Sequence, residues 1–203
     1  AEQSSIEAIL HFWFGETTGD WCVEDRNHLW WYEDSEVDQN IIEHFGELHV
    51  LASEERLAHW VEEPRGRLAL IILLDQFTRN IYRKTAMAFS GDALSLRLCL
   101  EGREKGHDMA LKLIERVFFY MPLMHAESRE LQEVSLRCYT AIHEQTATSD
   151  RDKSERYVGA ARLHSDIIKQ FGRYPHRNAL LERANTPEED AYLAGDYEDF
   201  GQS

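Results

Sequence analysis

Apolar residues recur every three or four positions along almost the whole chain, and this periodicity limits the fold more than any other feature of the sequence. In residues 35–52, for example, Val37, Ile41 and Phe45 fall on one face of a helix. The alternation of apolar and polar residues that is typical of a half-buried strand is not found over a comparable length. The sequence therefore predicts an all-α protein of seven to nine helices with no significant sheet.

Proline, glycine and small polar residues mark where these helices begin and end. Helix starts are predicted at Ser4, Pro64, Ser90 and Thr186, and a helix end is predicted at Gly172. No repeat of fixed period and no linker rich in Gly, Pro or Ser divides the chain. Residues 1–203 are therefore expected to form a single all-helical domain.

The overall charge excludes two classes of partner. The 203 residues include 37 acidic and 22 basic side chains, which gives a net charge of -15. Nucleic-acid binders need a basic surface, so neither nucleic acid nor an anionic membrane is an expected partner. The longest apolar run, residues 68–74, is much shorter than the roughly 20 residues of a membrane span. A soluble protein without a signal peptide is predicted.

The cysteines argue against a disulfide framework and against a zinc site. Cys22, Cys99 and Cys138 are an odd number at wide spacing, whereas disulfide scaffolds and zinc ribbons use paired cysteines. No HExxH or paired CxxC motif is present either, so no metal and no cofactor are predicted. A reducing, cytoplasmic location is the simplest expectation.

The net charge is distributed unevenly. Residues 1–64 carry -14, residues 65–181 carry +5 and residues 182–203 carry -6. Ordinary solvated helix faces give such a pattern in many soluble proteins. The alternative is that the basic middle holds a cleft for a small anion.

The first segment rich in side chains that can bind or catalyse is residues 73–83. Asp75 and Arg79 lie one helical turn apart, as do Arg79 and Arg83, and Gln76 and Asn80 share their side of the helix. Asp75 and Arg79 form either a surface ion pair or part of a network. In such a network the two arginines could bind a carboxylate or a phosphate as a fork. We expect a helix with one buried apolar face and an opposite face that carries these charged and amide side chains.

The second segment is residues 120–132, where His125 stands close to Glu127. With Ser128 and Gln132, His125 is expected to line one face of the helix that follows Pro122. A histidine beside a carboxylate suits a general base. A histidine that bridges two helices is the alternative.

The third segment is residues 170–178, where Arg173, His176 and Arg177 crowd a turn fixed by Pro175. These cationic or titratable groups repel one another unless a carboxylate or a ligand compensates them. His164, on the preceding helix, faces either this cleft or the core.

These segments carry a family resemblance that extends over essentially the whole chain. The sequence resembles the bacterial family catalogued as domain of unknown function 924, through HFWFG at 11–15, WWYEDSEVDQNII at 30–42, LALIILLDQF at 68–77, RN at 79–80, YR at 82–83, YMP at 120–122, HAE at 125–127, FGRYPHRN at 171–178 and TPEE at 186–189. Thr78 stands where the family tends to have proline, and Ala126 where it tends to have serine. The resemblance implies a tetratricopeptide-like array of helical hairpins and no established activity.

Three functions fit this pattern. The first is a pocket that binds a small anionic or peptide carboxylate ligand, with the candidate residues Asp75, Gln76, Arg79, Asn80, Arg83, His125, Glu127, Arg173, His176 and Arg177. The second is a hydrolase-type enzyme whose candidates for acid, base and orienting group include His125, Glu127 and His176. The third is a protein-interaction scaffold. A purely structural ion network would show the same residues, and nothing in the sequence indicates an oligomeric state.

Overall fold

Helices make up most of residues 2–201, the part of the chain that the computed structural model describes. The α-helices are α1 Glu2–Phe14, α2 Asn27–Trp31, α3 Ser35–Ser53, α4 Pro64–Ile71, α5 Thr78–Ile81, α6 Asp92–Glu104, α7 Leu113–Phe119, α8 Met121–Met124, α9 Arg129–Gln145, α10 Arg151–Phe171 and α11 Pro187–Leu193. Short 3-10 turns lie at Ala58–Glu62, Ala86–Phe89, Asp108–Ala110, Thr148–Asp150 and Pro175–Arg177. The helical class is confirmed, but residues 2–201 contain more segments than the seven to nine expected.

The described residues contain one small sheet. Its strands, β1 Thr17–Thr18 and β2 Trp21–Cys22, pair in antiparallel register. A sheet of this size adds no layer to the fold, so the prediction of no significant sheet is confirmed for residues 2–201. No helix in that range is long and apolar enough to span a membrane.

The centre of the molecule is a continuous helical rod with a π-helical turn. The π-helical residues Ile72–Phe77 join α4 directly to α5. Thr78, which follows the turn, donates from its hydroxyl to the carbonyl of Leu73 at 3.3 Å. All residues from 66 to 78 are buried. The predicted buried face is present, and neighbouring elements also cover the polar side of this segment.

Aromatic side chains fill the core around this rod. The ring of Trp13 from α1 makes edge contacts with Phe77 at 5.6 Å and with Phe118 at 5.5 Å between centroids. One contiguous cluster of buried apolar side chains extends from Ile6 in α1 to Ala161 in α10. Burial of each such large side chain contributes on the order of 1.5–3 kcal/mol, so this cluster holds the helices together.

Helices α9 and α10 form a hairpin that closes one side of the molecule. Ser128 caps α9 by accepting from the backbone N–H of Leu131 at 3.3 Å. Gly172 ends α10 with φ of 75°, a left-handed conformation that costs glycine little. The predicted helix end at Gly172 is thus confirmed.

The predicted helix starts had mixed outcomes. Pro64 opens α4, and Thr186 caps α11 by accepting from the N–H of Glu189 at 3.1 Å, as expected. Ser4 instead lies inside α1, which already includes Glu2, and Ser90 lies before α6, whose capping position is Gly91. Both wrong starts were placed on serines that resemble caps locally but are not used as caps.

Two glycine substitutions should test how tightly α6 packs on the rod. A Cβ at Gly102 would lie 2.5 Å from Cδ of Arg67 and 2.6 Å from Cζ of Phe119, whereas a Cβ at Gly159 meets nothing within 4 Å. Gly102→Ala should lower the free energy of unfolding by about 1–3 kcal/mol through overpacking. Gly159→Ala, in the exposed face of α10, should raise it by about 0.5–1 kcal/mol. Urea denaturation measures both, and a neutral Gly102→Ala would contradict the close packing.

Candidate functional site

A cavity of about 570 Å³ lies where the three segments with candidate site residues, 73–83, 120–132 and 170–178, meet. Gln76, Arg79, His125, Tyr174, His176 and Arg177 are among the residues that line it. Its walls also include aromatic side chains from α2 and from the end of the described chain, among them Trp30, Trp31 and Phe200. A volume of this size is typical of small-molecule sites.

An Asp–His pair lies at the cavity wall, where His125 lines the cavity and Asp75 is buried behind it. Asp75, fully buried in the π-helical turn, accepts from Nδ1 of His125 at 2.7 Å and from the side-chain amide of Gln76 at 2.7 Å. Because a carboxylate only accepts, the His125 proton is on Nδ1 and the lone pair is on Nε2. His125 lines the cavity, so the pair provides a base that Asp75 orients from behind.

The surroundings keep Asp75 ionised and His125 neutral. Burial acts to raise the pKa of Asp75, but the charge of Arg79 and the hydrogen bonds from His125 and Gln76 bring it below its usual range. Burial and the positive charge of Arg79 lower the pKa of His125, and the opposing effect of Asp75 does not restore it. A neutral imidazole that keeps its lone pair near pH 7 follows from these two effects.

Arg79 is already paired with a carboxylate of the protein. Its guanidinium donates to both oxygens of Asp92, at 2.7 and 3.1 Å, and also to the carbonyl of Asp75 at 2.9 Å. Burial acts to lower the pKa of Arg79, but Asp92 and Asp75 raise it overall. The charge of Arg79 is therefore already compensated within the protein, and Arg79 does not need an external anion.

Arg177 is charged, buried and poorly compensated. Its guanidinium lies between the rings of Phe89 and Tyr174, 4.6 Å from each centroid. The nearest carboxylate oxygens, those of Asp92 and Glu127, lie at 3.7 and 3.9 Å, beyond good hydrogen-bond distance. Its Nη2 donates to the carbonyl of His125 at 3.1 Å, whereas its buried Nε has no partner. Burial and the repulsion of Arg79 lower its pKa.

Two further buried histidines line the cavity. Nδ1 of His164 approaches the carbonyl of Ala160 at 2.7 Å, which places the proton on that nitrogen. Nδ1 of His176 is buried and has no partner. Burial is the main cause that lowers the pKa of each ring to about 3. Both rings are therefore neutral near pH 7.

Arg83 and Asn80 converge on a carboxylate that the sequence hypothesis did not include. Arg83 donates to both oxygens of Asp38 from α3, at 2.8 and 2.9 Å, and Asn80 donates to the same carboxylate at 2.8 Å. Both line the cavity. The fork predicted for Arg79 and Arg83 thus exists as two separate forks, each holding a carboxylate of the protein itself.

Glu127 and Arg173 lie away from the cavity lining. Glu127 accepts from two nitrogens of Arg183, at 2.7 and 2.9 Å, and from the backbone N–H of Tyr174 at 3.0 Å. Arg173 pairs with Glu189 of α11 at 2.9 Å. Both residues fix the turn that carries Tyr174 and Arg177, so their contacts are those of positioning residues.

The expected alignment of His125, Ser128 and Gln132 on one helix face was wrong. His125 follows the last turn of α8, and Ser128 is the cap of α9, so a break in the helix separates them. Gln132 points back and donates to the carbonyls of Met124 and Ala126, each at 2.8 Å. The side chain that orients His125 is Asp75, from a different segment.

Sequence reasoning missed several of the groups that matter. Asp38 and Asp92 supply the partners of the arginines, and Phe89 and Tyr174 sandwich Arg177. Asp38 lies within the family motif at 30–42, which was a signal for it, but Asp92 and Phe89 lie in no motif. Within residues 2–201, no group of three or more His, Cys, Asp and Glu side chains is placed to hold a metal ion.

Comparison with known proteins gives a family and a fold but no activity. Residues 9–196 match the model of a family described as bacterial protein of unknown function, DUF924. A solved structure of a protein of unknown function from Agrobacterium tumefaciens is similar, with 33% sequence identity and a TM-score of 0.77. The similarity covers 95% of this chain and 98% of the other. No functionally curated protein matches the sequence.

The neutral histidines of the cavity should make the fold sensitive to acid. In the unfolded chain a histidine titrates near 6.5, whereas His164 in the folded protein titrates near 3. Between these values the unfolded state binds more protons, so stability falls as the pH falls, by up to about 1.4 kcal/mol per pH unit for each such group. In His164→Asn the free energy of unfolding should decrease less than in the wild type as the pH falls from 7 to 4, as measured by urea denaturation. Parallel curves for wild type and variant would contradict a neutral His164.

Proposed function

Because the chain belongs to the bacterial DUF924 family of proteins of unknown function, we propose a function from the cavity itself, namely binding of a small molecule that carries an anionic group. The ligand acid, a carboxylate or a phosphate, contacts Arg177. The rest of the ligand lies against the aromatic wall. The observation that carries the proposal is the partnerless Nε of a buried Arg177 in a cavity of about 570 Å³.

The energetics of Arg177 support an anionic ligand. Burial of a charged group without a close partner is unfavourable, and its free energy is recovered when a counter-charge is supplied. Asp92 and Glu127 compensate it only through ion pairs at 3.7 and 3.9 Å, because Arg79 and Arg183 take the closer positions on these carboxylates. An anion at Nε would gain a charge-assisted hydrogen bond.

The distribution of charge supports a small ligand and not a polymer. Arg177 is 7% exposed and lies inside the cavity, whereas the chain as a whole carries a charge of -15. A long polyanion would encounter that overall repulsion. A small anion that enters the cavity encounters Arg177 and three neutral histidines.

Exchange of one arginine tests the anion site, with a second arginine as its control. Arg177→Gln should reduce the affinity for acetate and for inorganic phosphate at least tenfold, because the buried counter-charge is lost. Arg56→Gln should leave both affinities unchanged, since Arg56 is exposed and pairs with Glu54 outside the cavity lining. Titrations followed by NMR measure both, and thermal melts verify that each variant is folded.

Three results are informative. Loss of anion binding in the folded Arg177→Gln variant alone supports the site. Equal loss in both variants, or no loss in either, would refute it. If Arg177→Gln does not fold, Arg177→Lys, which keeps the charge but removes Nε, should weaken phosphate binding in the same direction.

The Asp75–His125 pair favours a second candidate function, hydrolysis. Nε2 of His125 can take a proton from water as the water attacks the carbonyl carbon of an ester or the phosphorus of a phosphate ester. The bond to the alcohol then breaks, the alcohol leaves with the proton that His125 returns, and Arg177 would hold the substrate acid. Glu127 does not contact His125, and Nδ1 of His176 lacks a partner to orient it. His125 is therefore the best-placed base among the three candidates.

A panel of activated substrates tests this second function. With p-nitrophenyl acetate and p-nitrophenyl phosphate as probes, His125→Ala should abolish turnover, and Asp75→Asn should reduce it and change its pH profile. His143→Ala is a matched control, because His143 pairs with Ser154 away from the cavity. Wild-type protein that is inactive, or activity that persists in His125→Ala, would exclude hydrolysis at this pair for these probes.

The scaffold hypothesis has less support. Arg79 has only 11% of its side chain exposed and Arg173 lies elsewhere, so the two do not form a common open face. The packing of α9 against α10 supports a hairpin array like that of tetratricopeptide proteins, and the continuous core supports a single domain for residues 1–203. A cytoplasmic location stays a prediction.

A further inference from the structure

An aromatic ring from the chain itself occupies one end of the cavity. Residues 198–201, called the strap from here on, run along the cavity, which Glu198, Phe200 and Gly201 help to line. The Phe200 ring stacks on His164, with 4.1 Å between centroids and 27° between planes. It also makes edge contacts with His176 at 5.4 Å and with Tyr174 at 6.5 Å. A slot for a flat ring is therefore built from these three side chains.

The strap is also held through its backbone. Arg83, already bound to Asp38 through two nitrogens, donates to the carbonyl of Gly201 at 3.1 Å. The backbone of Phe200 has φ of 54°, in the left-handed region that a bulky side chain adopts only under constraint. The ring contacts oppose this strain. Displacement of the ring by a competitor for the same slot would release this strain.

The strap also has the chemistry of a ligand. It places an acidic residue, Glu198, and an aromatic ring, Phe200, in the same cavity. Tyr174 lies at the junction, because one of its faces supports the guanidinium of Arg177 at 4.6 Å while its ring also contacts Phe200. One small molecule with a ring and an acid can therefore reach the slot and Arg177 together.

We propose that the strap is an internal competitor for the slot, and that the ligand class of the cavity is planar aromatic acids, whose ring replaces that of Phe200 on His164 while the acid binds Arg177. This inference rests on the anion site proposed above. The ring displaces a ring of the same kind, so the slot discriminates flat ligands from saturated ones of similar size. The apparent affinity for a ligand scales with the fraction of molecules in which the strap has left the slot, so a bound strap lowers that affinity.

Removal of the Phe200 ring tests the competition. Phe200→Ala should bind phenylacetate about three- to tenfold more tightly than wild type, because the competing ring is lost. Its affinity for acetate, which has no ring, should not change, and cyclohexylacetate should gain less than phenylacetate. The matched control is Tyr197→Ala, because Tyr197 packs on Tyr192 outside the cavity lining. Calorimetry of the full chain measures the aromatic and saturated acids, and NMR titration measures acetate.

The outcomes separate this inference from the proposed function. Acetate binding with an unchanged or weaker phenylacetate affinity in Phe200→Ala would overturn the competition and leave the anion site intact. An equal gain for acetate and phenylacetate would show a general cover and refute the aromatic slot. Failure of all three acids to bind either protein would overturn the anion site, and this inference with it. A gain in Tyr197→Ala equal to that in Phe200→Ala would also refute it.

Discussion

The ionised carboxylate of Asp75 has no exposed surface, and the arrangement of the cavity depends on how the protein compensates it. A buried carboxylate without partners costs several kcal/mol in an apolar environment. Here His125 and Gln76 each donate to Asp75 at 2.7 Å, and Nη1 of Arg79 lies 3.6 Å from it. Compensation of one charge thus orients an imidazole and a guanidinium in a cavity wall. The Asp75 carboxylate acts as a positioning group that the ligand need not touch.

The supply of carboxylates also explains why Arg177 differs from its neighbours. Arg79 and Arg83 each have a carboxylate held through two nitrogens, whereas Arg177 lies beside carboxylates that other arginines already occupy. Its stacking between two rings stabilises the side chain without neutralising its charge. The same aromatic wall continues to the slot of Phe200. Charge and flat apolar surface are therefore adjacent, which is the combination expected of a site for small organic acids.

Local patterns predicted the helical class well, because apolar periodicity reports the buried face of each helix directly. Gly172 was predicted as a helix end for a similar reason, since its left-handed φ is a requirement of the local chain. Pairings between distant segments could not be predicted: Asp75 orients His125 and Asp38 holds Arg83 only because tertiary packing brings the elements together. The π-helical turn at Ile72–Phe77 lies outside any 3.6-residue pattern, and the cover over its polar side comes from neighbouring elements, so neither could be predicted from periodicity.

The Arg177 guanidinium is proposed to bind an external anion. A structure from crystals grown in saturating acetate or phosphate tests this most directly. Density for the anion is expected within hydrogen-bond distance of the Arg177 guanidinium, inside the cavity lined by Tyr174 and His176. A cavity without an anion under those conditions, with Nε of Arg177 bonded to an acceptor of the protein itself, would contradict it.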